Sequence, residues 1–234
     1  GNCGSCWAEA ATSALEGQLE ANATLMSLLD DMHAKSSMAP KTPTLSSQAI
    51  VSCTPNARHC GGTGGCSGAT VELAYDMIKG RGGIPFAVDF RYTSGDSGFA
   101  PTCKDDLFPK AQVAIGGYTV LPSNKLLALK QALVESGGSI AVSVDATNWF
   151  AYSGGIYSDK DLGKGDFTVN HAVTLMGYKD PEPSASGYWV IKNSWGEFWG
   201  ESGNIRLELK ANEEEHCGWD RKAHDGVACD GDPD

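Results

Sequence analysis

The sequence predicts an α+β protein built as two lobes, and three observations carry that prediction. The front part holds two runs, 6–20 and 69–79, rich in helix formers with apolar residues at helical spacing. From about Lys110 the character changes, and four β-rich runs follow at 140–144, 169–178, 188–192 and 204–209. At 234 residues the chain can bury a sizeable core and suits one globular unit or two closely packed lobes. Segregated rather than alternating helices and strands describe the α+β class.

In the first helix Trp7, Ala11, Ala14, Leu15 and Leu19 share a face, and Ser5 stands where an N-cap belongs. Residues 21–44 are polar and irregular; Met26, Leu28, Leu29 and Met32 give an extra helical turn or two before Pro40 and Pro43 close the stretch. A short serine-capped helix is expected over 45–53, then a glycine-rich loop from Cys60 to Gly68. The helix over 69–79 buries Val71, Leu73, Ala74, Met77 and Ile78 and is stopped by Gly80. Residues 113–115 and 118–120 read as extended, 124–135 as one amphipathic helix, and 211–234 as an acidic tail, solvated outside its cysteine pair.

A formal charge of −11 excludes a nucleic-acid partner, whose phosphates need a basic surface. The longest apolar runs fall short of the roughly 18 residues of a membrane span. Eight cysteines point to an oxidising compartment, and Asn22-Ala23-Thr24 is a glycosylation sequon.

The chemistry concentrates at Cys3-Gly4-Ser5-Cys6-Trp7. Cys6 in the first turn of a helix meets unpaired backbone N–H groups and the positive end of the dipole, which favour a thiolate. A sulfur nucleophile needs a base, and the base needs an orienting group. Of five histidines, four lie in polar or turn-like contexts, and His171 alone lies in an apolar strand pattern. Taken alone, such a histidine is more often a satisfied core residue than a catalyst.

These segments together resemble the papain-like cysteine peptidases. Cys3 to Trp7 matches C-G-[SA]-C-[WY] at every position. Asn170-His171-Ala172-Val173 is similar to the family's base motif, and Lys192-Asn193-Ser194-Trp195-Gly196 through Trp199-Gly200 to its asparagine segment. His171 and Asn193 follow Cys6 by 165 and 187 positions, beyond the family's roughly 130–150, with 21–44 as a partial source of the excess. The resemblance implies the papain fold: a helical lobe (1–108), an antiparallel β-barrel-like lobe (109–216), a tail (217–234), and a cleft between the lobes.

It implies further that Cys6 attacks the scissile carbonyl, that His171 acts as base and then acid, and that Asn193 aims the ring. Trp195 covers the Asn–His bond, and Cys6 and His171 rest as an ion pair. Gly68 and Ala69 face the substrate; Thr70, Val71, Ser143 and Val169 wall a pocket for a hydrophobic residue second before the cut, with its floor near Lys222. Asn170 beside them and Glu9 replace residues usual in the family. Disulfides Cys3–Cys66 and Cys53–Cys103 follow from the family framework; Cys217–Cys229 is added by elimination, with Cys60 left over. The family's oxyanion glutamine would lie just before Gly1, so the chain is expected to be a processed or truncated piece with impaired activity that lacks the first strand of its β lobe.

The expected protein is a monomeric endopeptidase made as a zymogen for a lysosome, vacuole or secretory route, using no cofactor and no metal. Polypeptide substrates, a pro-segment and cystatin-like inhibitors are its expected partners. A zinc site on the C-x₂-C cysteines, a redox C-x-x-C and a pseudo-peptidase are the alternatives. Neither cysteine alternative explains the His171 and Asn193 segments.

Overall fold

The structure is a computed structural model that describes residues 1–35, 42, 44–111, 113–158, 167–210 and 218–232. Among the described residues six helices occupy Cys6–Ala21 (α1), Ala23–Lys35 (α2), Ser47–Cys53 (α3), Val71–Arg81 (α4), Ser94–Ser97 (α5) and Leu126–Glu135 (α6). Five strands, Ile140–Val144 (β1), Ile156–Tyr157 (β2), His171–Lys179 (β3), Gly187–Lys192 (β4) and Asn204–Leu209 (β5), form one sheet in the order β1-β3-β4-β5-β2. Its long pairs are antiparallel, while two-residue β2 pairs parallel with β5.

Two cores result. The first gathers Trp7, Ile50, Ile78, Ile84, Phe86 and Phe90 around α1, α3 and α4. The second gathers Leu133, Trp149, Val173, Leu175, Ile191 and Ile205 between α6 and the sheet. Strand β3 joins them. Its residues alternate, so Ala172 packs into the first core and Thr174 Oγ1 donates to Ala10 O at 3.4 Å, while Val173 and Leu175 enter the second. This is why His171–Leu175 is buried at every position and reads as an apolar run. On the opposing face of α1 the alanines let backbone approach backbone, and Ser139 Oγ reaches Ala14 O at 2.7 Å.

Several boundaries differ from the expectation. Helix α2 replaces the extra turn or two, and Asn22 caps it, its Oδ1 accepting from Leu25 N at 3.2 Å. Helix α4 runs past Gly80 to Arg81; the left-handed residue that ends it is Gly82, at φ 80°. Residues 113–115 and 118–120 join no sheet. Ile84 bonds Val113 O at 2.8 Å as a single bridge, and Tyr118 and Val120 stay exposed. Strand propensity without a partner surface makes no strand.

Bridges join Cys3 to Cys66 and Cys53 to Cys103, and a third joins Cys60 to Cys229. The expected Cys217–Cys229 pair is therefore corrected: Cys229 is taken by Cys60, the cysteine left over, and Cys217 lies outside the described residues. The cause is that residues 218–232 return to the Cys60 loop. Gly61 N donates to Ala228 O at 2.9 Å and Asp230 N to Arg58 O at 2.7 Å on either side of the bridge.

Candidate active site

Cys6 opens α1 and is the one free cysteine among the described residues. Ser5 precedes it but does not cap with its side chain. Its carbonyl accepts from Ala8 N and Glu9 N at 2.9 and 3.0 Å, while its hydroxyl is engaged with Tyr92 Oη at 2.5 Å. The expected side-chain cap is corrected accordingly. Because Ser5 Oγ is turned away, the backbone N–H groups of Cys6 and Trp7 are left to the sulfur, and that of Ala172 approaches it from β3.

His171 begins β3 and Asn193 follows β4 directly, so two neighbouring antiparallel strands set their spacing. His171 Nε2 lies 2.8 Å from Asn193 Oδ1, which also accepts from Ser194 N at 2.8 Å. An oxygen accepting from Ser194 makes Nε2 the donor, so in the neutral ring Nδ1 is left as the acceptor. Both side chains are buried. The Trp195 ring stands 5.1 Å from the imidazole, and the Trp149 ring meets it edge-on at 6.4 Å. Trp199 stacks on Trp149 and meets Trp195 in a T, closing an aromatic shell around the bond.

Burial governs the ionisation of both reacting groups. It pushes the Cys6 thiol up, opposed by the N–H groups of Ala172, Trp7 and Cys6 itself and reinforced by the Glu9 charge. It pulls His171 down, opposed by the hydrogen bond to Asn193. Both directions run against the thiolate–imidazolium pair that the resemblance implies.

Cys6 and His171 face a cavity of about 960 Å³. Gly68, Ala69, Thr70 and Val71 line one side, with Ser143, Asn170 and Ala172 across from them. Val169 lines an adjoining cavity, and Trp195 stands against His171 outside this one. Asn170 is tied sideways, accepting from Ala146 N and donating to Thr147 Oγ1, each at 3.0 Å. The far wall is made by His224, Asp225, Gly226 and Val227 rather than Lys222. Sequence reasoning put the floor near this wall but did not pair its segment with the leftover Cys60.

Behind Asn193 lies a second cavity of about 580 Å³, lined by Glu9, Glu16, Ser47 and Lys192. Burial raises both carboxyls, Glu16 to about 7, with Leu45 N donating to it at 2.7 Å. Glu9, which replaces a residue usual in the family, puts its charge close enough to Cys6 to resist the thiolate. Six cysteines are held in disulfides, which removes their sulfurs from any thiolate metal site.

A family described as papain family cysteine protease matches residues 1–227. Vignain of Vigna mungo is 30% identical over 221 residues, covering 93% of this chain and 52% of that protein. A cathepsin L-like peptidase of Aedes aegypti is 33% identical over 220 residues, 93% of this chain and 56% of its own. Among solved structures, the bromelain protease of Ananas comosus in complex with the E64 inhibitor superposes with a TM-score of 0.70 at 26% identity, over 97% of this chain and 87% of that one. Digestive procathepsin L 3 of Tenebrio molitor larval midgut gives 0.66 at 29% identity, over 89% and 59%. The chain spans about half the length of the curated relatives it matches.

Proposed function

The chain belongs to the papain family of cysteine proteases, and from that premise we propose a cysteine endopeptidase using Cys6, His171 and Asn193. One observation carries the assignment: a free thiol at the start of α1 shares a cleft with an imidazole whose other nitrogen is held 2.8 Å from a buried carboxamide. As the Cys6 sulfur bonds the scissile carbonyl carbon, His171 Nδ1 takes the thiol proton and the carbonyl π electrons move to oxygen. The Cys6 N–H is one donor to that oxyanion. Collapse breaks the C–N bond, and the imidazolium returns its proton to the departing amine. Water then attacks the thioester with His171 again as base, releasing the acid and the thiol.

Small or apolar side chains at Thr70, Val71 and Ser143 support a hydrophobic preference at the second residue before the cut. The two cores support a division near residue 108 into a helical and a β-rich lobe. Three disulfides support a lysosomal, vacuolar or secreted setting, and no described helix is long and apolar enough to cross a membrane. Similar solved structures of a procathepsin, a bromelain precursor and a bromelain–E64 complex support a pro-segment and thiol-directed inhibitors as partners.

The test is thiol labelling. An epoxide or iodoacetamide reagent should modify Cys6 rapidly and ahead of Cys217, and His171→Ala should slow it. Labelling no faster than that of an unstructured cysteine, with no peptide hydrolysis, leaves a binding protein instead.

A further inference from the structure

Residues 218–232 cross from one wall of the cleft to the other. On the β side Phe167 N donates to Trp219 O at 3.2 Å and Val169 N to Asp220 Oδ2 at 3.0 Å. On the helical side the segment is held by the Cys60–Cys229 bridge and by Arg58 to Asp232 at 2.7 Å; His59 Nδ1 lies 2.8 Å from Asp230 Oδ2. Between these anchors the backbone leaves no room. A Cβ on Gly68 would lie 2.4 Å from Gly61 O, one on Gly61 2.6 Å from Gly226 O, and one on Gly226 1.7 Å from Val169 O. Gly68, Gly61, Gly226 and Val169 therefore form a continuous backbone rim that leads on through Asn170 to His171. Gly61, Gly68 and Gly226 of this rim line the same cavity as Cys6 and His171.

We propose that this segment is a specificity-determining element that ends the substrate trench, held shut by the Cys60–Cys229 bridge. It rests on the reading of the cavity as a peptide site. A substrate chain running from Cys6 along Gly68 meets the backbone of Gly226, and residues further from the cut turn out into solvent without adding contacts. Binding energy from remote residues, which a longer trench could apply to the transition state, is then not available.

The test compares substrates carrying two and four residues before the cut, identical at the two nearest positions. Three proteins are assayed: wild type, the double variant Cys60→Ser/Cys229→Ser, and Gly226→Ala, which cannot seat against Val169. Mass spectrometry verifies that the wild-type bridge survives the assay reductant. In wild type the two added residues should change kcat/KM less than about two-fold, and in either variant they should raise it about ten-fold, the scale of one well-placed contact. Hydrogen exchange at the Gly61 and Val169 amides, slow in wild type, should quicken in both variants. A ten-fold gain already in wild type, or an unchanged length response in both variants, overturns the proposal. If Cys6 labels no faster than an unstructured cysteine, the peptidase reading fails instead; exchange then decides the closure, and protection retained in both variants overturns it.

Discussion

His171 and Asn193 are joined at 2.8 Å from adjacent strands, and the carboxamide oxygen that holds the imidazole also accepts from Ser194 N. The second bond fixes the direction of the first, because it orients the amide before the ring arrives. Asn193→Ala should keep the fold and lower kcat/KM about 10²-fold, the scale of a misaimed catalytic group. The loss should appear mainly in kcat. An unchanged kcat would show that the strand alone aims the ring.

The pH profile distinguishes a neutral resting pair from an ion pair. With His171 lowered from an ordinary 6.5 and Cys6 raised from an ordinary 9.0, the active form persists between the two displaced values. Activity should lose its acid limb below pH 6.5 and its alkaline limb above pH 9.0. An alkaline limb well under 9.0 would mean that the imidazolium dominates burial after all. Glu9→Gln removes a charge that raises the thiol and should move the alkaline limb downward.

Glu16 makes stability fall as pH rises. Its carboxyl goes from 4.5 to about 7 on folding, so between those values the folded chain holds more proton than the unfolded one. The penalty grows through that window and is complete above it. Glu16→Gln should stabilise the protein at pH 8 by on the order of 1–2 kcal/mol, discounted for partial exposure, and leave it nearly unchanged at pH 5. Denaturant unfolding at the two pH values checks this; an equal effect at both would assign the gain to packing.

Gln48, fully buried, ties α3 to α5. Its Oε1 accepts from Thr93 N at 2.8 Å and Ser94 N at 3.1 Å, and its Nε2 donates to Ser94 Oγ at 2.8 Å. Gln48→Leu fills the space but orphans two backbone N–H groups, and should cost about 3 kcal/mol in chemical denaturation. A cost under about 1 kcal/mol would mean that the loop repacks onto other acceptors.

How much was legible depends on whether a residue's partner lies nearby in the chain. Helix α1 begins where the N-terminal pattern and the alanine-rich face place it, and β1 and β5 begin and end as the β-rich runs predict, because propensity and periodicity are local. The end of α4 at Gly82 was misjudged because two glycines compete and only backbone conformation separates them. The Cys60–Cys229 bridge joins residues 169 positions apart, so the sequence showed Cys60 left over but not its partner.

The sequence by itself determined the α+β class, the motifs at Cys6, His171 and Asn193, and the family to which they point, since each rests on residue identity and short spacing. Tertiary structure alone decided the burial of Cys6 and His171, the carboxyl groups behind Asn193, and the turn of residues 218–232 across the cleft. These depend on which groups lose water and which backbones touch, and both are properties of assembled surfaces that no stretch of chain possesses alone.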